Sequence, residues 1–208
     1  MKQRFEYIDR LKGFAILCVI MGHFPQWAFG MANDPIHDFI YLYHMPLFIF
    51  LSGIVIGSAP SFKKDIIKAF QFLCPFFIIG SFAYTYLIHS DFNGFISSHF
   101  KWGYWYLLTL AYMYFLLIPF RWTNGQYDRK CVIKDLSLAV AILIALKCAN
   151  VFLSFKLADS LGVTMVLEYW SFFILGYLVR KYNLAHWLME HNWFMSIAML
   201  LIIPSSLI

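Results

Sequence analysis

Ile8-Asp9-Arg10-Leu11-Lys12-Gly13-Phe14-Ala15-Ile16-Leu17-Cys18-Val19-Ile20-Met21-Gly22-His23 is an apolar run with a lysine near its start and a histidine deep within it. The ten residues between Lys12 and His23 carry no charge. Ionisable groups are expensive in hydrocarbon, so a histidine this far into a membrane helix is a functional candidate by default. At about 100° per residue, eleven steps return the two positions to nearly the same helix face. With a rise of about 1.5 Å per residue they lie roughly 16 Å apart along the axis. One group can therefore meet a ligand at the membrane surface while the other meets that ligand's far end inside.

The rest of the chain has the same character. Of its 208 residues, 62% are hydrophobic and 13% charged, against a globular norm of about 45–50% apolar and about 25% charged. With 23 Phe, 13 Tyr and 7 Trp, the chain reads as an all-α integral membrane protein. The formal charge of +5 would suit nucleic acid, but the basic residues fall in short clusters between apolar runs, where positive-inside topology explains them. Cys18, Cys74, Cys131 and Cys148 form no C-x-x-C pattern, so neither a disulfide framework nor a metal site is expected. The basic start has no small-residue cleavage site after the first run, and the first span reads as retained.

Seven stretches are long and apolar enough to span, at about 20 residues per helix. They cover about 11–31, 36–59, 66–89, 102–120, 136–155, 165–180 and 187–207. No linker or repeat divides them, and we read residues 1–208 as a single multi-span domain. With a cytoplasmic N-terminus, that side holds Lys2, Arg4, Arg10, Lys12, Lys63, Lys64, Lys68, Arg121, Arg129, Lys130, Lys134, Arg180 and Lys181. The other side holds Lys101 and Lys156, with Lys147 inside a span. Thirteen against two sets the orientation.

In that orientation His23, His44 and Lys147 each lie about 12 Å below the outer boundary, which suggests a common cavity. Both histidines precede a proline by two positions, as His23-Phe24-Pro25 and His44-Met45-Pro46. A proline inside a helix removes one backbone bond, which would free the Met21 and Leu42 carbonyls. Irregular backbone is tolerated in a membrane where it is buried or lines a wet cavity.

Plainer roles exist for each group. An intramembrane histidine also serves as an interhelical hydrogen-bond partner, worth about 0.6 kcal/mol on average. Lys147 can snorkel outward along its span. Ser52-Gly53 fits close helix packing better than nucleophilic chemistry. Glu168 can reach interfacial water, and Trp102, Tyr104, Trp105 and Tyr106 fit an aromatic belt.

Together, Asp9-Arg10-Leu11-Lys12 through Gly22-His23 and the segment His44-Met45-Pro46-Leu47-Phe48-Ile49-Phe50-Leu51-Ser52-Gly53 resemble the membrane acyltransferase-3 family. Its hallmark is an Arg or Lys, ten residues, then His in the first span, usually after an acidic residue. Tyr104-Trp105-Tyr106-Leu107-Leu108 and Phe172 through Lys181 resemble its later segments. Two departures stand out. Where many members carry an arginine pair before the proline of the third span, this chain reads Lys68-Ala69-Phe70-Gln71-Phe72-Leu73-Cys74-Pro75, and only Lys68, with Lys63 and Lys64 upstream, would substitute. Members also have more spans than seven, so the resemblance leads us to expect a chain shortened at its C-terminal end.

The resemblance implies O-acylation, often O-acetylation, of a carbohydrate or glycolipid acceptor, with acyl-CoA (acetyl-CoA by default) as donor and no metal. It places Lys12 and Lys68 toward the donor's phosphates, Lys12 as a point charge. Asp9 would orient Lys12 as an i,i+3 pair. His23 would take the proton of the attacking hydroxyl, a role suited to a neutral imidazole. His44 would orient His23, hold the acceptor or relay the proton. An acyl-histidine intermediate is the variant mechanism. The protein is expected in the cytoplasmic (inner) membrane, in contact with lipid and not with nucleic acid. The competing readings are a proton-coupled transporter, since intramembrane His and Lys with proline-broken helices mark those as well, and a non-catalytic remnant.

Overall fold

The computed structural model describes residues 6–29, 35–56, 62–88, 92–123 and 128–184, and every regular element among them is helical. The seventh expected span, 187–207, lies outside the described residues. Contacts group the chain into two compact units, one of 1–57 and 172–208, the other of 58–171.

In the first unit, α1 (Glu6–Phe29) and α2 (Pro35–Ile54) pack on each other. At about 1.5 Å per residue, 24 residues make a rod of about 36 Å. Ala15, Cys18 and Gly22 are the buried, small positions of α1, spaced as one helix face. Their size lets the backbones approach, as membrane helix interfaces require. Cys18 Sγ lies 3.7 Å from the Tyr43 hydroxyl of α2. The helix α2 runs through Pro46 without interruption. The expected break at Pro46 is therefore the loss of one backbone donor within a continuous helix.

The second half of the last described helix completes this unit. Gly53 and Gly176 face backbone: a Cβ on Gly53 would overlap the Phe173 carbonyl, and one on Gly176 the Phe50 carbonyl. The Ser52-Gly53 step is thus a packing point, and Ser52 Oγ donates to the Phe48 carbonyl at 2.9 Å.

The second unit begins with α3 (Phe62–Pro75), which passes through one π turn, Phe76–Gly80, into α4 (Ser81–Ile88). Pro75 cannot donate a backbone bond, and a π turn is one way a helix absorbs such a defect. The helical stretch Phe62–Leu87 is long and apolar enough to cross a bilayer. Behind α5 (Phe92–Ser97), Phe76, Phe95 and Leu108 form a buried core with Leu73, Tyr84 and Tyr104 packed on it.

The expected span 102–120 is less regular than its composition suggests. Its central helix α6 (Trp105–Leu116) has 12 residues, about 18 Å, and is flanked by 3-10 turns at Lys101–Gly103 and Ile118–Trp122. Gly103 at φ +88° ends the first turn, a conformation that side chains disfavour. Pro119 sits inside the second and has no N–H to continue an α-helix. Phe70 and Phe72 of α3 pack on Phe115 and Tyr114 of α6.

Helix α7 (Arg129–Phe152) starts seven residues before the expected 136 because Asp128 caps it, accepting from the Lys130 backbone N–H at 3.2 Å. After α8 (Phe155–Ser160), α9 (Val163–Lys181) is the second helix long and apolar enough to cross a bilayer. Its first half runs antiparallel to α7: Thr164 donates to Asn150 Oδ1 at 3.2 Å, and Trp170 Nε1 to the Ala139 carbonyl at 3.2 Å.

Candidate active site

Asp9, Lys12 and position 23 lie on the single uninterrupted helix α1. Lys12 is half-buried and Asp9, three residues earlier, is exposed and exerts an electrostatic attraction on it. Lys12 stands one turn before Ala15, on the side of α1 that faces its neighbour. The side chain of His23 lies outside the described residues.

His44 of α2 is 1% exposed. Its Nδ1 lies 2.8 Å from the Ile40 carbonyl one turn back. A carbonyl only accepts, so a proton sits on Nδ1, and in the neutral ring Nε2 is the acceptor. This bond also fixes the ring against its own helix.

The remaining basic candidates are arranged differently. Lys63, Lys64 and Lys68 are exposed on α3. Lys147 is exposed on α7. Among the described residues no group of three or more His, Cys, Asp or Glu side chains is placed to hold a metal ion, and all four cysteines are free thiols.

Two polar clusters were not apparent in the sequence. At one end of the second unit, Arg121 forms a two-bond ion pair with Asp65, and Thr123 Oγ1 donates to the fully buried Asp135 at 2.7 Å. Arg121 counts in the sequence as a loop cation, yet it is 7% exposed. In the other cluster, His99 Nδ1 meets Asp159 Oδ1 at 2.5 Å. Lys101 beside them is buried, and that burial pushes its amine below the ordinary lysine value while Asp159 pulls it partly back. Partners 56 and 60 residues apart leave no local pattern. An acidic residue among apolar neighbours, as Asp159 is beside Leu157, Ala158 and Leu161, is the one signal available.

Comparison with known proteins bears on what this arrangement serves. A family model described as an acyltransferase domain matches residues 5–208. Neither the curated proteins nor the solved structures yield a match. The matched span takes in both units and all the candidate residues, Asp9, Lys12, His23, His44 and Lys68. The chain therefore belongs to the acyltransferase-3 family of integral-membrane proteins.

Proposed function

We propose that this acyltransferase is a membrane-bound O-acyltransferase that moves an acyl group, acetyl by default, from acyl-CoA to a hydroxyl of a cell-surface carbohydrate or glycolipid. In this reading the chain crosses the cytoplasmic membrane in seven spans with its N-terminus inside. The observation that carries it is the unbroken α1, Glu6–Phe29, with a half-buried Lys12 and a histidine eleven positions further on. The roughly 16 Å between those positions suits an extended pantetheine arm, with its phosphates at Lys12 and its thioester beside His23.

Lys12, steadied by Asp9, holds the donor's phosphates from the cytoplasmic side, and Lys68 assists. His23, neutral, accepts the proton of the acceptor hydroxyl as its oxygen attacks the thioester carbonyl. A new ester forms, the C–S bond breaks, and the proton passes from His23 to the leaving CoA thiolate. His44, with its tautomer set by Ile40, orients His23 or relays its proton. One-domain organisation follows from this reading, because donor and acceptor must reach the same centre.

The test is alkali-labile O-acetyl on surface glycans of cells that lack the gene, complemented with the chain or its His23→Ala form. The expected result is acetate restored by the unmodified chain alone at matched protein level. Equal restoration by His23→Ala removes the base assignment. No restoration by either, with both in the membrane, overturns this reading in favour of a non-catalytic remnant.

A further inference from the structure

The second unit holds a cluster that no step of the proposed transfer uses. Asp159 of α8 is 6% exposed, and its Oδ1 lies 2.5 Å from Nδ1 of His99. A carboxylate accepts, so in the neutral imidazole the proton is on Nδ1 and Nε2 is left as an acceptor. The His99 side chain is 45% exposed, and no other described residue hydrogen-bonds to it. A buried carboxylate that fixes the tautomer while the other nitrogen faces outward is the relation between base and orienting group in hydrolytic triads.

The surroundings hold this pair without needing it as a clasp. The buried Lys101 donates to the Asp159 carbonyl at 2.9 Å and the Ser98 carbonyl at 3.3 Å. It does so from φ +42°, a region rare for residues with side chains. The Gly162 N–H also bonds to the Asp159 carbonyl at 2.9 Å. The histidine's addition is an exposed acceptor. Glu168 is exposed and within electrostatic reach of His99. Its neighbour Tyr169 stacks on Trp105, with centroids 5.3 Å apart and rings 24° from parallel, both partly buried. His99 and the exposed Glu168 together offer acceptors for hydroxyls. The carboxylates repel anions, and the lysine is occupied by carbonyls.

We propose that His99, oriented by Asp159, is a hydroxyl-binding subsite for a neutral saccharide, its Nε2 accepting a hydrogen bond from a sugar hydroxyl. This rests on the carbohydrate reading above and names where such an acceptor is captured, apart from the chemistry at His23.

The test uses the full chain in a zwitterionic, sugar-free detergent. Diethylpyrocarbonate acylates a neutral imidazole nitrogen, and the His99 adduct is followed by peptide mass spectrometry. The probes are maltose and dodecyl maltoside, the same saccharide free or on a lipid-like tail. A bound probe slows labelling by 1 + [L]/Kd, about fivefold when it stands about fourfold above its Kd. Slowing by both supports a subsite for a free glycan chain. Slowing by dodecyl maltoside alone supports one for a glycolipid headgroup, and slowing by neither overturns the proposal. In titration calorimetry with the probe that protects, His99→Gln, which keeps an acceptor oxygen, should retain part of the binding lost in His99→Leu. Equal binding by both variants also overturns it. Transfer plays no part in these readouts. Protection without transfer counts against the proposed function alone, and transfer without protection counts against the subsite alone.

Discussion

Arg121 and Asp65 meet across 56 residues of sequence as a two-bond pair, Nε donating to Oδ2 at 2.7 Å and Nη2 to Oδ1 at 2.8 Å. Both side chains are almost fully buried, at 3% and 4% exposure. A planar guanidinium matches a carboxylate in this geometry, which a lysine would not reproduce. The pair ties the start of α3 to the turn that follows α6.

Removing one partner takes the matched countercharge from a buried ion. Asp65→Ala should therefore destabilise the protein by about 3–5 kcal/mol, while Asp65→Leu with Arg121→Met should recover most of that loss. Thermal unfolding of the detergent-solubilised protein measures both. A double variant no better than the single one would show that the pair does more than neutralise itself.

Lys12 should act through donor binding. Lys12→Ala should raise the KM for acyl-CoA with a smaller effect on kcat, because a phosphate contact far from the reacting carbonyl binds ground and transition states alike. Lys12→Arg should keep much of the activity, since a positive charge remains. Initial rates against acyl-CoA concentration separate the two. A fall in kcat alone would move Lys12 from the donor to the chemistry.

Gly53 meets backbone atoms of Phe173 and Tyr177 on α9, with the Tyr177 nitrogen 2.9 Å from where a Cβ would stand. Backbone cannot rotate away as a side chain can. Gly53→Ala should cost about 1–3 kcal/mol or more as overpacking, lowering folded yield and unfolding temperature with the site chemistry untouched. Gly13, with nothing within 4 Å of a built Cβ, is the control. Gly13→Ala should be neutral or slightly stabilising, as helix propensity favours alanine by about 1 kcal/mol.

Lys101 links stability to alkaline pH. Its folded-state value lies below the ordinary 10.5. The unfolded chain therefore binds more protons between the folded value and 10.5, and stability rises with pH through that interval. The contribution is fully present above the unfolded value and is lost as pH falls through the folded one. Lys101→Met should flatten the slope of unfolding temperature against pH on that interval. An unchanged slope would place the titration elsewhere.

Apolar content and helical character were legible along the chain. The runs at 66–89, 136–155 and 165–180 correspond to α3 with α4, to α7 and to α9, because a helix satisfies its backbone locally and its sequence signal is local as well. The spacing of Lys12 and His23 needed only an unbroken helix, and α1 is one. The ends were harder to place: the Asp128 cap starts α7 early, and Gly103 and Pro119 shorten the regular part of 102–120 to Trp105–Leu116.

Where each charge resides was a different matter. Arg121 and Lys101 read as loop cations that report topology, yet both are buried and partnered. His99 had no sequence signal at all, because the carboxylate that sets its tautomer is 60 residues away. Helix formation depends on neighbours a few residues apart, so composition and spacing reveal it. A buried ion pair or an oriented imidazole depends on desolvation by distant segments, and those are brought together only when the helices pack.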